Sequence, residues 1–345
     1  MSFYKLLFVS AGLLCVIPTG SAFTLSLPFL KKEAQDLGYT LPKPYGFNFS
    51  YMHMQQGIAI DSIGFQGIQL TKQQFTQMGI PAIFQKPLQS NLQKIIDSQL
   101  NLFPENGKQK SNVFVFRADA WVLPFLNLYV MGGKMTGMSS SSVTFQSAPI
   151  PLKGIPILSQ KFGGYYAKGR LDNFKLNLKG NLYGGGAIIA GGYKHIFSVI
   201  DFNYTKSKLS IIDGTIKTFV MSPRIGYDFQ QALPLRVWIG GMYQDVEENL
   251  SGDLAKLGLP NTMSMTLYDK NNQVAKHLNI GKLVKNGQLT IPAPTIGKFH
   301  VKQHLIAKWN TLLGFQYQIN PNLGLIVEGG FGRRKSILAN LDIRF

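Results

Sequence analysis

From Ser336 to the carboxyl end of the chain, apolar and polar residues alternate almost one for one. Ile337, Ala339, Leu341, Ile343 and Phe345 fall on one face of an extended strand, and Ser336, Leu338, Asn340, Asp342 and Arg344 on the other. The same period of two recurs upstream. Tyr45 to Ile60 sets Phe47, Phe49 and Tyr51 against Asn48 and Ser50. Asn112 to Val122 sets Phe114, Phe116, Ala118 and Ala120 against Val113, Val115, Arg117, Asp119 and Trp121. The Leu123-Pro124 corner leads into Phe125 to Gly137, and further strands are predicted over Leu178 to Gly192, His195 to Lys206, Ile216 to Phe229, Leu235 to Asp245, His300 to Ile319 and Leu323 to Phe331. Turn signals at Tyr193-Lys194, Asp213-Gly214, Ala232-Leu233-Pro234 and Asn320-Pro321-Asn322 separate them. With the last segment the count is about ten strands, and strands hidden in the later loops would raise it to twelve.

The connections differ in length. Long ones follow the first, third and seventh strands, at 61–110, 138–177 and 246–298, and the shortest corners follow the even-numbered strands. Long loops on one side of a sheet and tight turns on the other is the asymmetry of membrane barrels. Within the first long connection, Ser90-Asn91-Leu92-Gln93 has the form of a capping box, and Leu88, Leu92, Ile95, Ile96 and Leu100 follow at helical spacing. This predicts a short helix, lying over the rim or inserted as a plug. Residues 23–44 read as an irregular periplasmic lead-in with a short helix near Lys31 to Leu37.

Composition gives the alternation its setting. The chain has 345 residues with 36 Gly, 24 Phe and 14 Tyr, and only 15% are charged, as expected when half the strand positions face lipid and half a polar lumen. Residues 1–22 read as a secretory signal: Lys5, an apolar core from Leu6 to Ile17, and small residues at Gly20-Ser21-Ala22. Cys15, the only cysteine, lies inside it, which removes disulfide and thiol chemistry from the mature chain. No later stretch holds eighteen consecutive apolar residues. Export with oily strands and no apolar helix leads to an all-β, antiparallel transmembrane barrel, because closure satisfies every backbone hydrogen bond in lipid.

A final strand ending on Phe345, with Ile343, Leu341, Ala339 and Ile337 at alternate places before it, resembles the last strand of bacterial outer-membrane β-barrels. The resemblance implies an outer-membrane location and recognition of these five residues by the barrel-assembly machinery. The run from Arg117 through Ala118, Asp119, Ala120, Trp121, Val122, Leu123, Pro124, Phe125 and Leu126 to Asn127 resembles an uncharacterised group of proteobacterial outer-membrane barrels, and implies no activity. The net charge of +18 favours outer-membrane lipid and lipopolysaccharide phosphates as partners for loop lysines such as Lys153, Lys168, Lys256 and Lys276. It is spread too thinly for a nucleic-acid module.

Candidate chemistry is sparse. The polar-face charges Arg117, Asp119, Asp201, Arg224, Asp228, Arg236, Glu328, Asp342 and Arg344 are mixed in sign, and a barrel of this size is largely filled by side chains. They read as an ion-pair network in the lumen, or as the lining of a narrow polar conduit. His300 and His304, four apart, have no third ligand near them in sequence, so no metal or cofactor is expected. No adjacent Asp-Asp or Asp-His occurs, no histidine sits in a convincing local motif with a serine, and no catalytic residue is assigned. The leading expectation is a narrow channel or transport barrel for small solutes. A surface-binding barrel acting through its long basic loops and a lipid-modifying or proteolytic barrel enzyme are the alternatives.

Overall fold

The computed structural model describes residues 27–36, 38, 40–86, 89–90, 100–147, 164–210, 213–229, 232–257, 259–279 and 282–345. The signal reading at 1–22 lies outside them, and so does most of the helix predicted near 88–100. Among the described residues, fifteen strands form one antiparallel sheet. They are β1 Tyr45–Gln69, β2 Leu100–Pro104, β3 Gly107–Leu123, β4 Leu126–Ser147, β5 Tyr166–Tyr193, β6 Ile196–Leu209, β7 Asp213–Asp228, β8 Leu235–Asp253, β9 Thr262–Tyr268, β10 Val284–Lys285, β11 Gln288–Pro292, β12 Ile296–Leu305, β13 Trp309–Asn320, β14 Leu323–Phe331 and β15 Lys335–Arg344.

The sheet closes on itself. Neighbour pairs run β1-β3-β4-β5-β6-β7-β8-β13-β14-β15, and β15 returns to β1 with Phe47 opposite Ile343 and Tyr51 opposite Ala339. Closure leaves the ring of ten without an open edge. The terminal Phe345 joins the ring through backbone bonds of 3.1 and 3.2 Å with Tyr45, and its ring lies 5.3 Å from that of Phe47. Outward positions are oily and exposed. Tyr45, Tyr193, Tyr227, Phe229, Tyr317 and Phe345 circle the rim of tight turns, while Tyr51, Phe114, Tyr183, Tyr204, Phe219, Trp309 and Phe331 circle the wall further up. Two aromatic girdles enclosing an apolar band are the exterior of a transmembrane barrel.

Above the second girdle the ring narrows. The β14-β15 hairpin stops at residues 332–334, and from there the distal half of β1 pairs directly with β12, whose other side pairs with β8. Eight strands, β1, β3 to β8 and β12, therefore continue what ten began. Strand β13 picks up the pairing with β8 after a break at residues 306–308. Arg334, 1% exposed, reaches into that break. Its guanidinium donates to the Ala307 and Lys308 carbonyls, both at 3.2 Å, and to Gln244 Oε1 at 2.5 Å. Arg334→Met should therefore cost about 1–3 kcal/mol, the penalty for stranding buried acceptors. Amide hydrogen exchange should quicken at residues 306–309 and stay unchanged at the tight-turn rim; unchanged exchange at the break would count against this role.

Several sequence boundaries need correction. The sheet has more strands than the predicted ten or twelve, because β2 and β9 to β12 pair outside the ten-stranded ring. The insertion placed at 61–110 is smaller: β1 runs on to Gln69, a short helix α1 follows at Lys72–Gln77, and β3 already starts at Gly107. Leu100, assigned to the predicted helix, begins β2 opposite Ser147. The loops at 138–177 and 246–298 are in large part strand as well: β4 and β5 extend far beyond the ring, and β9 and β11 extend the same sheet from β5. These segments lack the oily alternation because beyond the second girdle their outer face meets water instead of lipid. A small apolar cluster of Ala167, Leu267, Ala275 and Val284 holds this distal sheet together.

Candidate functional site

The lumen is built in layers by residues of one parity on each strand. Nearest the tight-turn rim, Asp119 of β3 is the centre: its side chain is fully buried, and it accepts hydrogen bonds from Asn48 of β1 at 2.7 Å and Asn127 of β4 at 2.6 Å. Arg344 of β15 places Nη1 2.7 Å from Asp119 Oδ1 and donates Nε to Asp342 at 3.1 Å. Gly46 makes room for this pair, since a Cβ there would lie 2.8 Å from both the Arg344 guanidinium carbon and Asp119 Oδ2. One buried carboxylate thus ties the first, last, third and fourth strands.

A second group crosses the middle of the barrel. Arg224 of β7 grips Glu328 of β14 through two hydrogen bonds of 2.7 and 3.0 Å, and Trp238 of β8 donates to the same carboxylate at 2.8 Å. Arg236 pairs with Asp228 at 2.8 Å nearer the rim. The Tyr129 hydroxyl donates to Asp201 Oδ1. Arg117 stacks its guanidinium 4.6 Å from the Tyr129 ring centroid, while its nearest carboxylate oxygen, on Asp119, is 4.0 Å away. All nine predicted lumen charges sit on inward positions. They form one cluster (Arg117, Asp119, Asp342, Arg344), two pairs (Arg224 with Glu328, Arg236 with Asp228), and Asp201 on Tyr129.

Between these groups lies a cavity of about 130 Å³, lined by the polar Ser50, Arg117, Tyr129, Asp201 and Asn203 and by the apolar Met52, Val113, Val115, Met131 and Leu338. Above it the lumen turns apolar. Ile58, Met135, Leu178, Leu182, Val246 and Val301 fill the eight-stranded storey. Set in that core, Glu248 of β8 accepts from Gln109 of β3 at 2.9 Å and from Gln303 of β12, and Gln56 of β1 donates to Gln109 at 2.5 Å. This amide and carboxylate chain spans the lumen from β8 to β3.

The predicted lumen charges leave out Asn48, Asn127, Tyr129, Trp238, Glu248 and Arg334. Asn48 already lies on the polar face of its strand, and Trp238 shares the parity of Arg236, so parity could have found both; Glu248 lies in a segment read as a loop. Arg334 lies in a turn, where parity says nothing.

Outside the lumen, His300 and His304 of β12 face outward. His304 Nδ1 lies 2.7 Å from Asp61 Oδ1, an acid and histidine brought together across β1 and β12. Among the described residues no group of three or more His, Cys, Asp or Glu side chains could hold a metal ion. On the distal sheet Lys168 lies 5.2 and 5.1 Å from the ring centroids of Tyr166 and Tyr268, which stack on one another. Nearby, Arg170 bonds both Glu105 and Asp172, and holds the Asp172 carboxyl below the usual carboxylate range.

No family model matches the chain, and no curated protein matches its sequence. Among solved structures it is similar to the outer membrane protein OprG from Pseudomonas aeruginosa, at 8% identity and a TM-score of 0.33, over 88% of this chain and 98% of that one. The transport unit of the autotransporter AIDA-I from Escherichia coli gives 7% and 0.29, over 99% and 97%. The toluene transporter TbuX from Ralstonia pickettii gives 9% and 0.27, over 88% and 90%. Likeness at this level carries no argument about activity, which has to come from the chain's own geometry.

Proposed function

We propose that the protein is an outer-membrane barrel that passes small solutes slowly and selectively through an occluded lumen. The observation that carries this is the lumen cavity, with the Asp119 cluster on its tight-turn side and the apolar core and the Glu248 chain on its distal side. A general water-filled pore needs a wide polar lumen, and neither layer offers one. The tight turns, with the start of β1 and the end of β15, face the periplasm in this reading, and the distal sheet faces outward, where its lysines meet lipopolysaccharide phosphates. Ile337, Ala339, Leu341 and Ile343, all outward on β15, and Phe345 just past its end are the residues the assembly machinery reads.

Proteoliposomes carrying the refolded protein should swell faster than empty ones in a small uncharged solute such as glycerol, and swelling should fall off steeply with solute size. Planar bilayers should show no large open steps of the porin kind. Glycerol swelling no faster than in empty liposomes would sink the transport reading.

A second reading, surface binding, is favoured by the distal sheet of β2, β4, β5, β9 and β11, which is longer than a membrane wall requires and carries the exposed tyrosine and lysine group. Removal of residues 262–292 would abolish attachment in that reading while the ring still folds.

A further inference from the structure

Arg117 and Asp201 border the same cavity, and each has hydrogen-bonding capacity that no described residue takes up. Arg224, Arg236 and Arg344 each have a carboxylate oxygen within 2.8 Å. Arg117 makes no hydrogen bond to any described residue: Tyr129 takes the face of its guanidinium and leaves the N–H edge free, and its Nε is buried without an acceptor. Asp201 accepts the Tyr129 hydroxyl on Oδ1, and no described residue bonds its second oxygen. A donor edge and an acceptor oxygen therefore border one cavity, which Met52, Val113, Val115, Met131 and Leu338 also line.

We infer that this cavity binds a small zwitterion, an α-amino acid with a short apolar side chain, with its carboxylate on Arg117 and its ammonium on Asp201. The inference deepens the transport reading and rests on it for how the ligand enters and leaves. Three observations converge on the class. The size is right: a cavity of about 150 Å³ holds a benzene-sized molecule, so one of about 130 Å³ suits on the order of six to eight non-hydrogen atoms. The charge balance is right. Arg117, Arg224, Arg236 and Arg344 stand against Asp119, Asp201, Asp228, Glu328 and Asp342, so a lone anion would add to an existing negative excess. A lone cation would meet Asp201 but leave the Arg117 edge unpaired. A zwitterion adds no net charge and pairs both groups, and the apolar wall takes its side chain.

The test is calorimetric titration of the refolded protein in detergent micelles with L-valine, with 3-methylbutanoate, which lacks the ammonium, and with isobutylamine, which lacks the carboxylate. Valine is expected to bind at least about tenfold more tightly than either. Arg117→Gln should remove that advantage over the amine, and Asp201→Asn, which keeps an acceptor for Tyr129, should remove it over the carboxylate. Neither variant should lose the heat-dependent gel mobility of a folded barrel, because neither group belongs to the short ion pairs that hold Arg224, Arg236 and Arg344. Equal binding of all three ligands, no valine binding to folded protein, or valine binding unchanged in both variants would overturn the assignment. Glycerol swelling separates the two claims: its absence removes the transport reading, while valine binding in micelles still decides the site.

Discussion

Asp119→Ala is expected to lower the stability of the folded barrel by about 3–5 kcal/mol, the largest effect of any single substitution in the lumen. The carboxylate is fully buried and is shared by Asn48, Asn127 and Arg344. Its removal leaves Arg344 with Asp342 alone and two buried amide groups without their acceptor. The cost falls at the seam where the last strand meets the first, because Asp119 on β3 and Arg344 on β15 lie on either side of β1. Denaturant unfolding from lipid vesicles, followed by tryptophan fluorescence, measures it. Asp119→Ala combined with Arg344→Met should cost clearly less than the sum of the single changes, since the stranded charge disappears. Strict additivity would show that the pair contributes nothing as a pair.

Glu328→Leu is expected to cost nearly as much, about 3–4 kcal/mol by the same logic of an uncompensated buried charge. Arg224 loses a bidentate partner, and Trp238 loses the acceptor for its indole N–H. The effect stays below that of Asp119 because Asp201 provides Arg224 with a second, nearby negative charge. The two changes should also differ in place. Loss of Glu328 loosens β7, β8 and β14 at mid-barrel, so hydrogen exchange should quicken around Arg224 and Gly329 and leave the seam between β15 and β1 protected. Adding Arg224→Met should recover much of the loss. A Glu328→Leu protein as stable as the parent would mean that the ion pair only breaks even against its desolvation.

Both predictions depend on a partition of the fold between what a linear pattern encodes and what packing decides. Within the membrane zone each strand has lipid on one side and lumen on the other, so the period of two is strict, and the alternation of Ile337 to Phe345 or of Phe114 to Ala120 announces strand, face and closure together. The inward charges were legible for the same reason. Beyond the second girdle the outer face meets water and the inner face packs a core, so Asp61 to Gln69 and Met138 to Ser147 carry no contrast that distinguishes strand from loop.

Pairing across the chain lay further out of reach. That Arg344 reaches Asp119, that Asp61 meets His304, and that Arg334 fills the break where ten strands become eight all depend on register and closure, which bring together residues more than two hundred positions apart in two of the three cases. Single-sequence periodicity holds no information about such partners. The sequence by itself determined an antiparallel barrel with an oily exterior and a charged interior. Only the tertiary structure decided that those charges neutralise one another across strands, leaving Arg117 without a hydrogen bond to any described residue, because who pairs with whom is a property of the closed ring.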